Sequence, residues 1–371
     1  MTREEYRKAA EDVIYLASCA VNEVSPDPGR VDGMDKALLY KAADFHLLTA
    51  ITAMALESAG VQDPAFTQAK AKAIRKAALM DAEMQALSAR LEAAGIWYMP
   101  LKGTVIQDYY PVYGMREMAD HDILFDAGRA EDVKSIMENL GFTAEHFGTD
   151  VHDSYHKEPV CNFEMHRALF GPRHDGKLYR YYRDAENRLI RGEGYARRFT
   201  PEDFYIYIIA HEYKHYSGGG TGIRSLLDTY VYLRKQPLDT DYVSAETEKL
   251  GIREFEEKNR LLALHLFTGE ELTDADREML YYMMRSGTYG TLEHGVRNKV
   301  ETLGGGAGGK ARYLLDRIFP SMQSIQSAYP FFYRHRILLP VLVLYRIGKG
   351  LTVRRPRVSA ELKALMKRKK K

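Results

Sequence analysis

The chain has 371 residues, 45% of them hydrophobic and 28% charged, which is enough apolar sequence for two or three globular domains. This composition excludes a mainly disordered, collagen-like or low-complexity protein. Two cysteines, Cys19 and Cys161, are too few for a disulfide framework. The charged N-terminal sequence lacks the apolar segment of a secretory signal, so we expect a cytoplasmic protein in a reducing environment.

The positive charge of the chain is concentrated at its C-terminal end. The formal net charge is +2, yet residues 352–371 contain nine basic residues and one acidic residue, Glu361. We predict that this basic tail is a solvated end with few apolar residues to bury, so that its removal leaves the fold intact. RNA or a lipid surface is the kind of partner that such a tail could contact.

Residues 1–95 are predicted to form an N-terminal helical region. Apolar residues recur at helical spacing in three segments, and proline and glycine separate one segment from the next. The third segment is rich in alanine, leucine, lysine and glutamate, which favour helices. The predicted helices cover residues 4–20, 36–58 and 65–93.

Residues 96–180 are predicted to form a small α/β core. Two short apolar runs, 96–101 and 123–125, are typical of strands, and residues 131–140 are typical of a helix. Residues 161–166 alternate between apolar and polar side chains, which predicts a half-buried strand. The fold class that follows is α+β, with a small mixed sheet embedded between N-terminal and C-terminal helical regions.

Residues 181–351 are predicted to form a C-terminal helical domain, ahead of the basic tail at 352–371. The predicted helices cover residues 201–216, 222–235, 242–249, 252–267, 274–285 and 311–318. Residues 337–347 are strongly apolar but too short to span a bilayer, and they contain Pro340 and Arg346. We expect this segment to pack against the domain; contact with a membrane interface is the alternative.

Two aspartates near the second predicted strand are candidate ligands for a metal ion. Asp120 and Asp122 are two residues apart, so on a strand they point to the same face. Their repulsion would be relieved by a hard divalent cation such as Mg²⁺ (or Mn²⁺), which takes oxygen ligands. For the same reason, Asp122→Asn is expected to keep or raise stability.

A phosphate-binding segment is predicted shortly before the aspartates. Gly103 opens a helix whose N-terminus could approach a phosphate, and Lys102 and Arg116 are cations that could bind further phosphate charge.

A third carboxylate is expected on the strand at 161–166. Asn162, Glu164 and His166 share one face of this strand, and the apolar residues share the other. If the two strands are neighbours, Glu164 joins Asp120 and Asp122 in a site for two metal ions. His121 lies between the aspartates and must point to the opposite face, where we expect it to pack or form hydrogen bonds.

The order of these motifs resembles that of a known family. Leu101-Lys102-Gly103, Tyr110-Pro111, Arg116, Asp120-His121-Asp122 and Glu164-Met165-His166 are similar to motifs of the uncharacterised nucleotidyltransferase family, within the DNA polymerase β-like nucleotidyltransferase superfamily. The likeness is sharpest over residues 96–170. It implies a small mixed sheet, a metal triad at Asp120, Asp122 and Glu164, and a phosphate-binding turn at Gly103-Thr104.

The resulting hypothesis is a Mg²⁺-dependent (or Mn²⁺-dependent) nucleotidyltransferase. Asp120, Asp122 and Glu164 would be catalytic and hold the metal ions, and Lys102, Gly103, Thr104 and Arg116 would bind the nucleotide. The donor would be an NTP such as ATP. The acceptor stays open: a small molecule, an RNA or a protein.

Two alternatives stay open at this point. His211-Glu212-Tyr-Lys-His215 matches the His-Glu-x-x-His pattern of zinc metallopeptidases, in which the two histidines share one helix face. The second alternative is a module that binds nucleotides or partners without turnover.

Overall fold

The computed structural model describes residues 2–172 and 176–366 and divides the chain into two compact units. The first unit comprises Met1–Tyr213 and Gly222–Thr288, and the second comprises Lys214–Thr221 and Tyr289–Lys371. The first unit therefore contains the predicted helical region 1–95, the predicted core 96–180 and part of the segment 181–351; the bounds of these predicted segments stay predictions.

The first unit consists of helices, one five-stranded sheet and one separate pair of short strands. Its helices are α1 (Arg3–Val21), α2 (Pro28–Asp32), α3 (Lys36–Phe45), α4 (Thr49–Ser58), α5 (Pro64–Ala93), α6 (Gly103–Ile106), α7 (Ala130–Asn139), α8 (Gly176–Tyr182), α9 (Pro201–Gly218), α10 (Ile223–Lys235), α11 (Thr240–Leu250), α12 (Arg253–Thr268) and α13 (Asp274–Met284). Its strands are β1 (Tyr98–Leu101), β2 (His121–Phe125), β3 (Thr143–His146), β4 (His152–Lys157), β5 (Cys161–His166), β6 (Ile190–Arg191) and β7 (Arg197–Arg198). The last residues of α9 belong to the second unit.

Five strands form a mixed sheet in the order β1-β2-β5-β4-β3. The β2–β5 pair is parallel, and the other three pairs are antiparallel. The remaining strands, β6 and β7, pair separately. A mixed sheet among helices confirms the predicted α+β class.

The two faces of this sheet differ in chemistry because side chains alternate along each strand. One face packs on α5 and α7, and its core includes Ile123, Phe125, Tyr155, Cys161, Phe163 and Met165. The other face carries Asp122, Glu164 and His166. The alternation predicted for residues 161–166 is thus confirmed, and it separates the hydrophobic core from the polar side chains considered below.

The predicted helix at 36–58 is two helices, α3 and α4. Leu47 lies between them with φ +53°, a left-handed conformation that a continuous helix cannot contain. At this break His46 is fully buried, and its Nδ1 accepts a hydrogen bond from the backbone N–H of Ile223. Helix periodicity does not detect such a break, because the apolar residues on either side keep their spacing.

The second unit is helical beyond residue 288. Its elements are α14 (Leu292–Thr302), α15 (Gly306–Ile318), α16 (Met322–Ala328), α17 (Pro330–Arg334), α18 (Leu339–Leu351) and α19 (Arg355–Met366). No helix in the described part of the chain has both the length and the apolar character needed to cross a membrane.

Helix α19 corrects the prediction of an unpacked basic tail. Its Leu365 is buried in a small cluster with Val296, Val300 and Tyr313. Its Glu361 accepts a hydrogen bond from Arg317 Nε at 2.9 Å and also pairs with Arg357. The sequence prediction failed here because two side chains spaced one turn apart are enough to dock a helix whose other residues are polar. Residues 367–371 lie outside the described residues.

Helix α18 also differs from the prediction. Residues 337–347 were expected to pack against the domain, but Leu342 is the buried residue of this helix, and most of its other large apolar side chains are exposed. Total hydrophobicity does not indicate which side chains find a partner.

The packing of α19 makes a testable prediction. Leu365→Ala should destabilise the second unit by about 2 kcal/mol, because it empties a buried position. Leu362→Ala is the matched control: Leu362 lies on the same helix but is 42% exposed, so the expected change is below about 0.5 kcal/mol. Hydrogen exchange of the α14 and α19 amides measures the difference, and equal protection in the two variants would contradict the packing.

Candidate active site

The candidate site lies where two parallel strands carry acidic side chains on the same face of the sheet. In the β2–β5 pair, Asp122 lies opposite Glu164 and Leu124 lies opposite His166. Asp120 precedes Asp122 by two residues and is half-buried just before β2 begins. The prediction that Glu164 lies on a strand next to the aspartates is therefore confirmed.

Asp122 is buried, and its charge is balanced by two neighbours. Its Oδ1 accepts a hydrogen bond from Lys102 Nζ at 2.6 Å, and His166 Nε2 lies 2.8 Å from the same oxygen. Burial alone would raise the pKa of Asp122, but the charge of Lys102 and the hydrogen bond with His166 hold this pKa well below its ordinary value.

This pairing reverses one expectation from the sequence. Asp122→Asn was expected to keep or raise stability, on the assumption that repulsion between carboxylates dominates. Instead the substitution would leave Lys102, which is largely buried, without its counter-ion. Removing one partner of a buried ion pair is strongly destabilising.

Lys102 is held at the site by charge. Burial lowers the pKa of Lys102, but the negative charges of Asp122 and Glu164 and the hydrogen bond to Asp122 together raise it above its ordinary value. Tyr207 of α9 is fully buried in the same electrostatic environment, and burial raises its pKa. The site therefore brings the buried Lys102 together with the carboxylates of Asp122 and Glu164.

The pKa of Asp120 is shifted in the opposite direction from that of Asp122. Burial and the nearby negative charges of Asp122 and Glu164 raise the pKa of Asp120, and the positive charges of Lys102 and Arg224 only partly offset this. A carboxylate that is destabilised by its neighbours is the group that gains most from a bound cation.

A cluster of three potential metal ligands lies next to this pair. The ligand atoms of His152, Glu164 and His166 all lie within 4.8 Å of one another. His152 Nε2 is 3.6 Å from Glu164 Oε1, and His166 Nε2 is 3.5 Å from Glu164 Oε2. Burial lowers the pKa of His152, which favours the neutral imidazole that ligates metal ions. Two imidazoles and a carboxylate are a suitable donor set for a divalent ion.

The sequence prediction of the ligand set was incomplete. Glu164 belongs to the cluster, and Asp122 contacts it through His166. His152, however, was not predicted, since residues 152–157 are polar except for Tyr155 and do not show the alternation of a half-buried strand. It reaches the site because β4 pairs with β5 and sets His152 opposite His166. The available signal was the spacing of His152, Ser154 and His156, which puts all three on one face.

The Lys102-Gly103-Thr104 segment forms a tight turn beside the cluster. Lys102 has φ +47°, a conformation that side chains other than glycine rarely adopt. A Cβ added to Gly103 would lie 2.4 Å from Arg116 Nη1, so only glycine fits this close approach. Gly103 does begin a helix as predicted, although α6 is a single turn.

Thr104 and His121 connect the turn to the core face of the sheet. Thr104 Oγ1 and His121 Nδ1 are 2.8 Å apart, and His121 is fully buried against Phe163. The prediction that His121 packs or forms hydrogen bonds away from the aspartates is confirmed. The Thr104 hydroxyl is thus already engaged in holding the turn.

Arg116 lies behind the turn in a buried ion pair. Its Nε donates to Asp228 Oδ1 at 2.8 Å and its Nη2 donates to Asp228 Oδ2 at 2.9 Å. The Tyr110 hydroxyl donates to Asp228 Oδ1 as well, at 2.8 Å. The guanidinium therefore has a protein carboxylate where the sequence prediction placed a phosphate. Asp228 belongs to α10, more than 100 residues along the chain, and no local pattern indicates this pairing.

The His211-Glu212-x-x-His215 motif lies on α9, and its glutamate faces the core. Glu212 is buried, and its Oε2 accepts a hydrogen bond from Asn259 Nδ2 at 3.1 Å. Burial raises the pKa of Glu212 to about 7, with a further contribution from the charge of Asp228. Among the described residues, no cluster of three metal-ligand atoms includes His211 or His215.

Comparison with known proteins agrees with this geometry. Residues 32–268 match a family model described as an uncharacterised nucleotidyltransferase. Comparisons with curated proteins and with solved structures find no match. The matched region covers more than half of the chain and includes Lys102, Asp120, Asp122 and Glu164. The chain therefore belongs to the uncharacterised nucleotidyltransferase family.

Proposed function

We propose that this protein is a metal-dependent nucleotidyltransferase that moves a nucleotidyl group from an NTP to an acceptor hydroxyl or phosphate. One observation carries the proposal: the parallel β2–β5 pair sets Asp122 beside Glu164, with His166 in contact with both carboxylates. In the reaction, an acceptor oxygen bonds to the α-phosphorus, the bond from that phosphorus to the α–β bridging oxygen breaks, and pyrophosphate leaves.

The metal-binding residues in this proposal are Asp120, Asp122 and Glu164, with His152 and His166 as nitrogen donors. A divalent ion bound there would neutralise phosphate charge and lower the pKa of an attacking hydroxyl. Glu164, which is partly exposed, accepts the proton of the acceptor. Asp120, whose charge is destabilised by burial and by Asp122 and Glu164, contributes most to the affinity for the cation.

Lys102 is the nucleotide-binding cation. Its ammonium pairs with Asp122. Cation binding at Asp122 would weaken that pairing, and the ammonium would then be available to the phosphates. Gly103 and Thr104 hold the backbone that positions Lys102. In this scheme Arg116 supports the turn through Gly103 and Asp228 rather than binding phosphate directly.

The nitrogen donors also select the metal. Imidazole suits borderline transition-metal ions better than it suits Mg²⁺, which prefers oxygen ligands and retains its water. We therefore refine the predicted Mg²⁺ (or Mn²⁺) requirement to a preference for Mn²⁺.

His152→Ala tests the metal preference. Mn²⁺ affinity should fall about 10-fold or more, the scale of loss seen when a group that supports a metal site is removed, while Mg²⁺ affinity should change much less. His156→Ala is the matched control, since His156 lies four residues further along β4 on the same face but pairs with Asn162 and Glu158. Calorimetric titration with each ion, without nucleotide, measures both. Equal loss in the two variants would remove His152 from the site.

Asp120→Asn and Asp122→Asn separate catalysis from stability. Each should lower nucleotidyl transfer by about 10²–10³-fold, the scale found when one group that stabilises transition-state charge is removed. Only Asp122→Asn should destabilise the fold, by about 3 kcal/mol, because it unpairs Lys102. Asp120→Asn should unfold at the same or higher denaturant concentration than wild type. Full transfer activity in either variant would contradict the assignment.

Glu212→Gln tests the rival zinc-peptidase assignment through the pH dependence of stability and through transfer activity. The pKa of Glu212 is raised from 4.5 to about 7 in the fold. Its burial therefore has no effect on the pH dependence of stability below its ordinary pKa, and stability is lost progressively as pH rises from that value to about 7, above which the loss is complete. Glu212→Gln should therefore be more stable than wild type at pH 8, on the order of 3 kcal/mol, and nearly equal to it at low pH. Transfer activity should persist.

Urea denaturation at pH 4 and pH 8 measures this difference. A stability difference that does not depend on pH would show that Glu212 is not a buried neutral acid. Loss of turnover in Glu212→Gln together with zinc in the purified protein would favour the peptidase.

A further inference from the structure

The second unit presents an apolar stripe on one side of α18. The stripe consists of Val341, Leu344, Tyr345 and Leu351, which are 53%, 70%, 50% and 66% exposed. Their spacing places them on one helix face, at i, i+3, i+4 and i+10. Leu342, on the opposite side, is 1% exposed and fixes which way the helix faces.

Further exposed apolar side chains flank the stripe along the chain. Ile337, just before α18, is 90% exposed, and Val353, just after it, is 75% exposed. Phe331 of α17 is 58% exposed. Scattered exposed leucines are ordinary, but an apolar helix face with exposed apolar residues at both ends marks an interaction surface.

The charge of the surrounding segment is entirely positive. Residues 318–360 contain no aspartate or glutamate, and they contain seven basic residues: Arg334, Arg336, Arg346, Lys349, Arg354, Arg355 and Arg357. Five of these, Arg334, Arg336, Arg354, Arg355 and Arg357, are exposed. The partner must therefore offer negative charge to the cations and an apolar phase to the stripe.

We propose that the segment 329–358 docks on the surface of an anionic lipid bilayer, with α18 lying in the plane of the interface. An amphipathic helix with apolar and aromatic residues on one face and arginine or lysine around it binds in this way, and anionic lipids supply the electrostatic attraction. With only thirteen residues, α18 is too short to span the bilayer.

Charge complementarity favours a bilayer over the other occupants. A second copy meeting this one through the same segment would place seven cations against seven cations with no carboxylate between them. An RNA would pair with the cations but would leave the apolar stripe in water. A bilayer containing acidic lipids satisfies both features, and this inference does not depend on the proposed transferase activity.

The experiment uses the full-length protein and vesicles of phosphatidylcholine with or without phosphatidylserine. Flotation should recover the protein with the phosphatidylserine vesicles only, and added salt should weaken the binding. Leu344→Glu and Arg354→Glu/Arg355→Glu should each reduce the partition coefficient about tenfold or more. All three side chains are exposed, so neither variant should change the unfolding midpoint.

Two control variants carry the same chemical changes in the first unit. Leu261→Glu alters a leucine of α12 that is 44% exposed, and Lys8→Glu/Lys41→Glu reverses two exposed cations; both should float like wild type. Equal binding to phosphatidylcholine alone, no binding to either vesicle, or equal loss in the controls would overturn the proposal. So would a dimer without vesicle affinity that Leu344→Glu dissociates, since the occupant would then be a second copy.

Discussion

The buried charge of Asp122 is the constraint on which the candidate site depends. A buried carboxylate is unfavourable by several kcal/mol unless it is paired, and here Lys102 and His166 supply the pairing. Lys102 reaches Asp122 from a turn with an unusual backbone conformation. That turn requires glycine at 103 because Arg116 packs against it, and Arg116 is in turn fixed by Asp228. A series of contacts thus connects the anion on β2 to residues of β5, the turn and α10.

The sequence predicted those parts of the site that follow from local spacing. Two aspartates separated by one residue and the alternating strand around Glu164 were enough to predict a shared face, and the pairing of Asp122 with Glu164 confirms it. The sequence could not predict pairings made across the fold. His152 joins the site only through the register of β4 on β5, and Arg116 pairs with a carboxylate 112 residues away. When the sequence does not reveal the carboxylate that pairs with an arginine, the arginine is easily interpreted as a residue that binds phosphate.

The distinction between local spacing and contacts made across the fold also applies to the helices. Periodicity predicted most of the helices between residues 3 and 284 to within a few residues, because amphipathic spacing is a local property. It did not show that α18 would bury Leu342 and leave Leu344 in solvent, or that Leu365 would dock the basic α19. Which side chains are covered depends on neighbours that are distant in sequence. The apolar content of α18 therefore predicted that this helix is buried. In the structure most of its large apolar side chains are exposed, and basic residues surround them.

The central claim is that this site supports cleavage between the α- and β-phosphates of a nucleotide. The most direct measurement incubates the protein with Mn²⁺, a cell extract as the source of acceptor, and each NTP labelled at either the α- or the γ-phosphate. The account predicts that label from one α-labelled NTP enters a product while the γ-label is released as pyrophosphate. Incorporation of the γ-label would identify a phosphoryl transferase instead, and incorporation of neither label, despite nucleotide binding, would show a site that binds without catalysis.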